Sequence, residues 1–330
     1  MKKLLVSPSP HIHGKENTTG LMRDVIIALL PAVAVMIWFF GLSALKLVFV
    51  GVLSCVLVEF LIEKFVMKSK ITISDHSAIV TGLLLALNLP PSAPWWIIVI
   101  GAIVAIGIAK MTFGGLGQNL FNPALVGRVF LLISFPVIMT DWTVPSPWFA
   151  SAADAFSGAT PLSLIKEGIA SGKSIQDIIS ANNLTYSQML FARMGGSSGE
   201  ISSLALLIGF AYLLFRRVIK PHIPLAILGT IVIFSGILWL VNPAKFTDPL
   251  FNILTGGVLL GAIFMATDYV TSPMSKKGMI IFGVGIGIIT ILIRQFGSYP
   301  EGVSFAILIM NATVPLINMY CKPKRFGRIK

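Results

Sequence analysis

The run Asp154-Ala155-Phe156-Ser157-Gly158-Ala159-Thr160-Pro161 puts a hydroxyl after three small residues and directly before a proline. Two kinds of chemistry suit it. Thr160 reads as a helix N-cap whose oxygen accepts an orphan backbone N–H, with Pro161 at the first helical position, where no N–H is missed. The same helix end suits a phosphate, because free N–H groups and the positive end of the dipole converge there. Gly158 and Ala159 would let a bulky group approach the backbone. A cap and a phosphoester on Thr160 are compatible, and local pattern does not separate them.

Other polar residues stand in apolar surroundings. Arg128 lies about one and a half turns into a helix, where a charge is costly unless paired, wet or functional. It can snorkel to the cytoplasmic face or contact a flavin or quinone. Gly114, Gly115 and Gly117 precede Asn122-Pro123 and read either as tight turns or as a second cofactor pocket. Glu59 is an intramembrane carboxylate and so a candidate for an ion pathway, whereas Glu63 and Asp268 read as solvated at the interface. Thr81-Gly82 and Thr255-Gly256-Gly257 read as close helix packing through small residues. Asn311 reads as an amide bonding helix to helix.

Some chemistries are excluded. Cys55 and Cys321 are the only cysteines, and four scattered histidines complete the soft-ligand set, so this chain alone cannot ligate an iron–sulfur or zinc centre. "GIASGKS" (168–174) has one residue too few between its glycines for a phosphate loop, and "GVGIG" (283–287) has no strand before it.

These residues must be held by membrane helices. Hydrophobic residues make up 55% of the 330, charged residues only 12%, and mean hydropathy is +0.89. Ten apolar stretches appear: 22–40, 44–66, 76–89, 94–110, 122–138, 200–216, 222–241, 249–267, 278–294 and 302–321. With the amino terminus in the cytoplasm, 18 Lys and Arg, Lys110 among them, fall inside and 6 outside. That bias sets the orientation. The net charge of +12 is therefore a topology signal, and no nucleic-acid partner is expected.

The plan is an all-α integral membrane protein of about ten transmembrane helices in two inverted five-helix repeats, some helices short or broken. The division is a cytoplasmic segment 1–21, a first half 22–139, an extracytoplasmic loop 140–199, a second half 200–321 and a basic cytoplasmic tail 322–330. "IVTGLLLAL" (79–87) and "ILTGGVLLG" (253–261) agree at four of nine positions and echo one another across the halves. An odd number of spans per half would invert the copies. The stretches 76–89 and 122–138 look too short to span simply, as helices lining an internal site do.

The string D-x-x-S-G-A-T from Asp154 to Thr160 resembles the signature at which a flavin transferase joins FMN to threonine. The whole chain resembles the RnfD/NqrB family of membrane subunits, through "SPSPH" (7–11), "GGLGQNLFNPALVGRVF" (114–130) and the ten-span plan. It stands nearer the RnfD side, because it lacks the longer amino-terminal extension of NqrB. The resemblance implies FMN esterified to Thr160, with Asp154, Ser157, Gly158 and Ala159 as the transferase's recognition sequence. It implies a subunit of an Rnf complex that couples electron flow from ferredoxin to NAD with export of Na⁺ or H⁺. Implied partners are a flavinylated RnfG-type subunit, membrane RnfA/RnfE-type subunits and the flavin transferase. Some family members also carry a non-covalent riboflavin in the membrane core; the Gly114, Gly115, Gly117, Asn122 and Arg128 group is the candidate pocket.

Overall fold

The computed structural model describes residues 17–68, 71–143, 158–182, 184–191, 195–199 and 201–322. Asp154 and Ser157, the "SPSPH" opening and most of the basic tail lie outside the described residues. Each of the ten apolar stretches carries helix. Five helical stretches are long and apolar enough to cross a membrane: Thr18–Met67, Trp95–Phe113, His222–Val241, Lys276–Phe296 and Val303–Tyr320. The chain is a multi-pass, all-α membrane protein.

Helix α1 (Thr18–Leu61) starts at an Asn17 cap and is broken at Gly41, whose φ of 58° and ψ of −134° are outside any helix. The break divides 22–40 from 44–66. The two arms fold back on each other, because Leu21, Met22 and Val25 share a cavity with Lys110, the partner of Glu59 on the other arm. Helix α2 (Ser77–Leu87) is about 16 Å long at 1.5 Å per residue, well short of a membrane core of about 30 Å. It survives by packing. A Cβ on Gly82 would lie 2.7 Å from the Val52 Cα and 2.9 Å from the Gly51 carbonyl, so the Thr81-Gly82 pair does serve close helix contact.

Helix α3 (Trp95–Ala102) runs on through a π turn, Ile103–Ile108. The loop 114–117 then turns on three glycines with φ of 111°, 96° and 92° at Gly114, Gly115 and Gly117. Those are left-handed values, which fits the tight-turn reading. Helix α4 (Pro123–Ser134) follows, capped by Asn122, and α5 (Pro136–Met139) closes the first half.

The polar stretch 140–199 is more than a loop. Within it α6 (Pro161–Ala170), α7 (Ile175–Ala181) and α8 (Tyr186–Leu190) are short helices, each with a Ser or Thr at its N-cap position. Leu162, Ile165, Ile175, Ile178 and Met189 bury against Phe251 as a small core of their own. The stretch also docks on the main body: the N–H groups of Ser198 and Gly199 donate to the carbonyls of Leu89 (3.2 Å) and Leu87 (2.7 Å). The Leu87 carbonyl is an orphan acceptor in the last turn of α2 and Leu89 follows just past the cap, so the end of that short helix is tied to the loop.

The second half begins with α9 (Ser203–Phe215) and α10 (His222–Val241). Helix α11 (Pro249–Leu254) stops at Thr255, and α12 (Val258–Leu260) resumes after Gly256 and Gly257, both left-handed at φ 66° and 67°. A π turn, Gly261–Met265, extends α12. Thr255-Gly256-Gly257 is thus a helix break, not the packing stripe expected. Its echo at Thr81-Gly82 sits inside a continuous helix, so the two matching peptides differ in conformation. Helices α13 (Lys276–Phe296) and α14 (Val303–Tyr320) complete the chain.

Candidate functional site

Thr160 is the N-cap of α6, in extended conformation, and is almost wholly covered at 4% exposure. Its oxygen accepts from the Ser163 N–H at 3.2 Å and lies 2.8 Å from the Ser163 hydroxyl. It sits on the wall of a cavity of about 370 Å³ with Gly195, Gly196, Ile201, Gly256 and Glu301. Gly195 lies against the backbone of the motif itself, its Cβ position 3.5 Å from the Gly158 carbonyl and 3.6 Å from that of Ala159. Gly256 has no alternative: a Cβ there would overlap both the Arg294 guanidinium and the Leu162 side chain.

Arg294 holds the broken helix in place. Its guanidinium donates to the carbonyls of Asn252 (2.6 Å), Thr255 (2.8 Å) and Gly256 (3.1 Å), the free acceptors at the end of α11. A cation at that end also complements the helix dipole. Lys166 ties the approach to α14 onto α6, donating to the carbonyls of Gly297 and, at 3.1 Å, of Tyr299. Partial burial there pulls its ammonium below the usual lysine range.

Arg128 does not snorkel. It is 5% exposed, ion-paired with Glu301 and hydrogen-bonded to the Asn88 oxygen at 2.5 Å. Asn88 in turn donates to the Leu84 carbonyl at 2.6 Å. The carboxylate of Glu301 repays the desolvation of the guanidinium where it stands, so the side chain has no need to reach water. Arg128 therefore backs the Thr160 cavity, away from Gly114, Gly115 and Gly117.

A second, larger cavity of about 780 Å³ lies at the other ends of α4 and α9. Both short helices line it, α2 through Ser77, Val80, Thr81 and Leu84, and α4 through its cap Asn122. None of the three loop glycines is on its wall. The Asn122 amide also donates to the Met265 carbonyl at 3.1 Å, closing the π turn. Asn311, oriented so that its oxygen takes the Asn122 N–H (3.1 Å) and its nitrogen the Thr271 carbonyl (3.1 Å), does join helix to helix.

At the edge of this cavity Lys110 is 2% exposed, bound to both oxygens of Glu59 at 2.7 and 2.8 Å and to the Ser77 hydroxyl at 2.6 Å. Sequence reasoning counted Lys110 as an interfacial charge; a cation this deep is held by its buried acid. Glu63 is likewise not solvated. It is 3% exposed and accepts the N–H (2.9 Å) and hydroxyl of Thr72. Asp268 lines the cavity and accepts from the Thr271 hydroxyl at 3.0 Å.

The residues at Thr160 fit a phosphoester. The oxygen stands at the positive end of a ten-residue helix, Gly195, Gly196 and Gly256 add no side chains to the wall, and the nearby Glu301 carboxylate is partly offset by its ion pair with Arg128. Sequence reasoning missed Glu301, Gly195 and Gly196, which join Thr160 only through folding. The one local sign was an acid opening the last apolar stretch, after Tyr299-Pro300.

Comparison with known proteins gives the family. The profile of the NQR2, RnfD, RnfE family matches residues 5–327. The D-type subunit of the Na(+)-translocating ferredoxin:NAD(+) oxidoreductase complex of Acetobacterium woodii is 47% identical over 328 residues, 99% of this chain and 96% of that one. Its counterpart in the proton-translocating ferredoxin:NAD(+) oxidoreductase complex of Clostridium ljungdahlii is 41% identical over 322 residues, covering 98% and 96%. The D-type subunit of an ion-translocating oxidoreductase complex of Escherichia coli is 38% identical over 353 residues, covering 98% and 99%. With a match along nearly its whole length, this chain belongs to the NQR2, RnfD, RnfE family.

Proposed function

We propose that this chain is the D-type membrane subunit of an Rnf-type, ion-translocating ferredoxin:NAD oxidoreductase, relaying electrons through FMN joined by its phosphate to the Thr160 oxygen. One observation carries the reading: the threonine that ends D-x-x-S-G-A-T caps α6 on the wall of a glycine-lined cavity. The bound flavin would supply one- and two-electron redox chemistry. The chain's own residues do the rest. The Thr160 oxygen anchors the phosphate, the α6 terminus offsets its charge, and Gly195, Gly196 and Gly256 leave it space.

In the cell membrane both termini are cytoplasmic and the Thr160 face is outside, as the distribution of Lys and Arg favours. The subunit works beside RnfG-type and RnfA/RnfE-type partners, after maturation by a flavin transferase. Relatives named for Na⁺ and for protons both resemble it, and the exported ion is one of these two. A non-covalent riboflavin would suit the large apolar cavity, whose wall also carries the polar side chains of Asn119, Asn122 and Lys110.

The test is in-gel fluorescence of the denatured chain made together with the transferase. A yellow-green band is expected from the native sequence and from Ser157→Ala, and no band from Thr160→Val. A dark native band overturns the assignment and favours a small-solute transporter; a bright Thr160→Val band overturns the attachment at Thr160.

A further inference from the structure

The two charged groups behind Thr160 are placed asymmetrically. Glu301 is on the cavity wall, whereas Arg128 is not among the lining residues and stands behind the carboxylate, held by Asn88. Any group in that cavity therefore meets the negative member of the pair first. Both charges are largely removed from water, with side chains 12% and 6% exposed, so the field between them and the cavity is weakly screened. A phosphate anchor alone asks for no carboxylate; an acid facing an anion costs energy unless it does something else.

We propose that Glu301, ionised and oriented by Arg128, is the residue that sets the reduction potential of the flavin on Thr160, holding it low. This deepens the flavin reading above and rests on it. The physical step is simple. Each electron that reaches the flavin from its redox partner adds a negative charge, unless a proton from water follows it. A fixed carboxylate at the cavity wall raises the energy of the reduced form more than that of the oxidised form. Arg128 offsets part of this effect from a greater distance and keeps the carboxylate in position. Both are positioning residues, because neither exchanges an electron or a proton with the cofactor.

The signs of the effects distinguish this role from a merely structural one. The experiment is spectroelectrochemical titration of the full-length chain, co-produced with the flavin transferase and purified in detergent. Covalent flavin is first counted by absorbance and intact mass in every sample. Glu301→Gln, nearly isosteric, is expected to keep one flavin per chain and to shift the midpoint upward. Glu301→Asp and Arg128→Lys, which keep the charges, are expected to stay close to the native midpoint. A Glu301→Gln chain with full flavin content and an unmoved or lowered midpoint overturns the inference while leaving the attachment intact. If Glu301→Gln loses flavin, Arg128→Gln is read instead, because it removes the cation that offsets the carboxylate: a lowered midpoint upholds the inference, and an unmoved or raised one overturns it. A native chain without covalent flavin removes the underlying reading and this inference together.

Discussion

The two cavities are built in opposite ways. The one at Thr160 is small, about 370 Å³, and its wall mixes three glycines, two threonines and the Glu301 carboxylate with apolar side chains such as Leu162, Met189 and Ile201. The one at Asn122 is about twice as large, about 780 Å³, and lined mainly by leucine, valine, isoleucine and phenylalanine. A flat ring in the second would be held by apolar burial, at roughly 25 cal/mol per Å². The first offers less such surface, so on the proposed reading retention there would fall to the covalent bond at Thr160. The polarity is reversed as well. Glu301 faces the small cavity with its cation behind it, while Lys110 faces the large one with its acid behind it, Asp268 adding a further carboxylate.

The comparison can be broken most completely at Thr160, where Thr160→Val should abolish covalent flavin while leaving flavin extractable from the large cavity unchanged. Acid precipitation followed by chromatography of the supernatant measures the second pool. At the large cavity, Lys110→Met should destabilise the chain by about 3–5 kcal/mol, because Glu59 is left buried and unpaired. A companion Glu59→Gln should recover most of that loss, read as the midpoint of thermal unfolding in detergent. Gly256→Ala comes next, at about 2 kcal/mol, since the left-handed backbone and the crowding by Arg294 and Leu162 both oppose a methyl group. Its effect should fall on the Thr160 side, lowering flavin attachment. Smallest is Asn122→Ala, about 1 kcal/mol for a lost helix cap, with weaker retention of extractable flavin and normal in-gel fluorescence. Equal loss of both flavin pools in any one of these variants would mean that the cavities are not independent.

What the sequence could announce was whatever is carried by neighbours in the chain. The apolar stretches became helices because length and hydropathy are local. Thr160 became a cap because Thr-Pro before an amphipathic run is a local signal, and Gly114, Gly115 and Gly117 became turns for the same reason. Charge pairing is different. Arg128 meets Glu301 across 173 positions and Lys110 meets Glu59 across 51, so nothing beside either cation tells a buried side chain from one at the interface. The Thr255-Gly256-Gly257 break was hidden for a related reason. Thr-Gly within apolar sequence packs helices equally well, as Thr81-Gly82 does against Gly51, whereas at the break Arg294, from a distant helix, reaches the freed carbonyls.

The claim on which the rest depends concerns one oxygen atom. Intact-mass analysis of the chain from its native host, with peptide mapping across 154–166, tests it directly. The account predicts one FMN phosphoryl group per chain, located on Thr160. An unmodified Thr160, or a flavin mapped to Ser157 or Ser163, would contradict it.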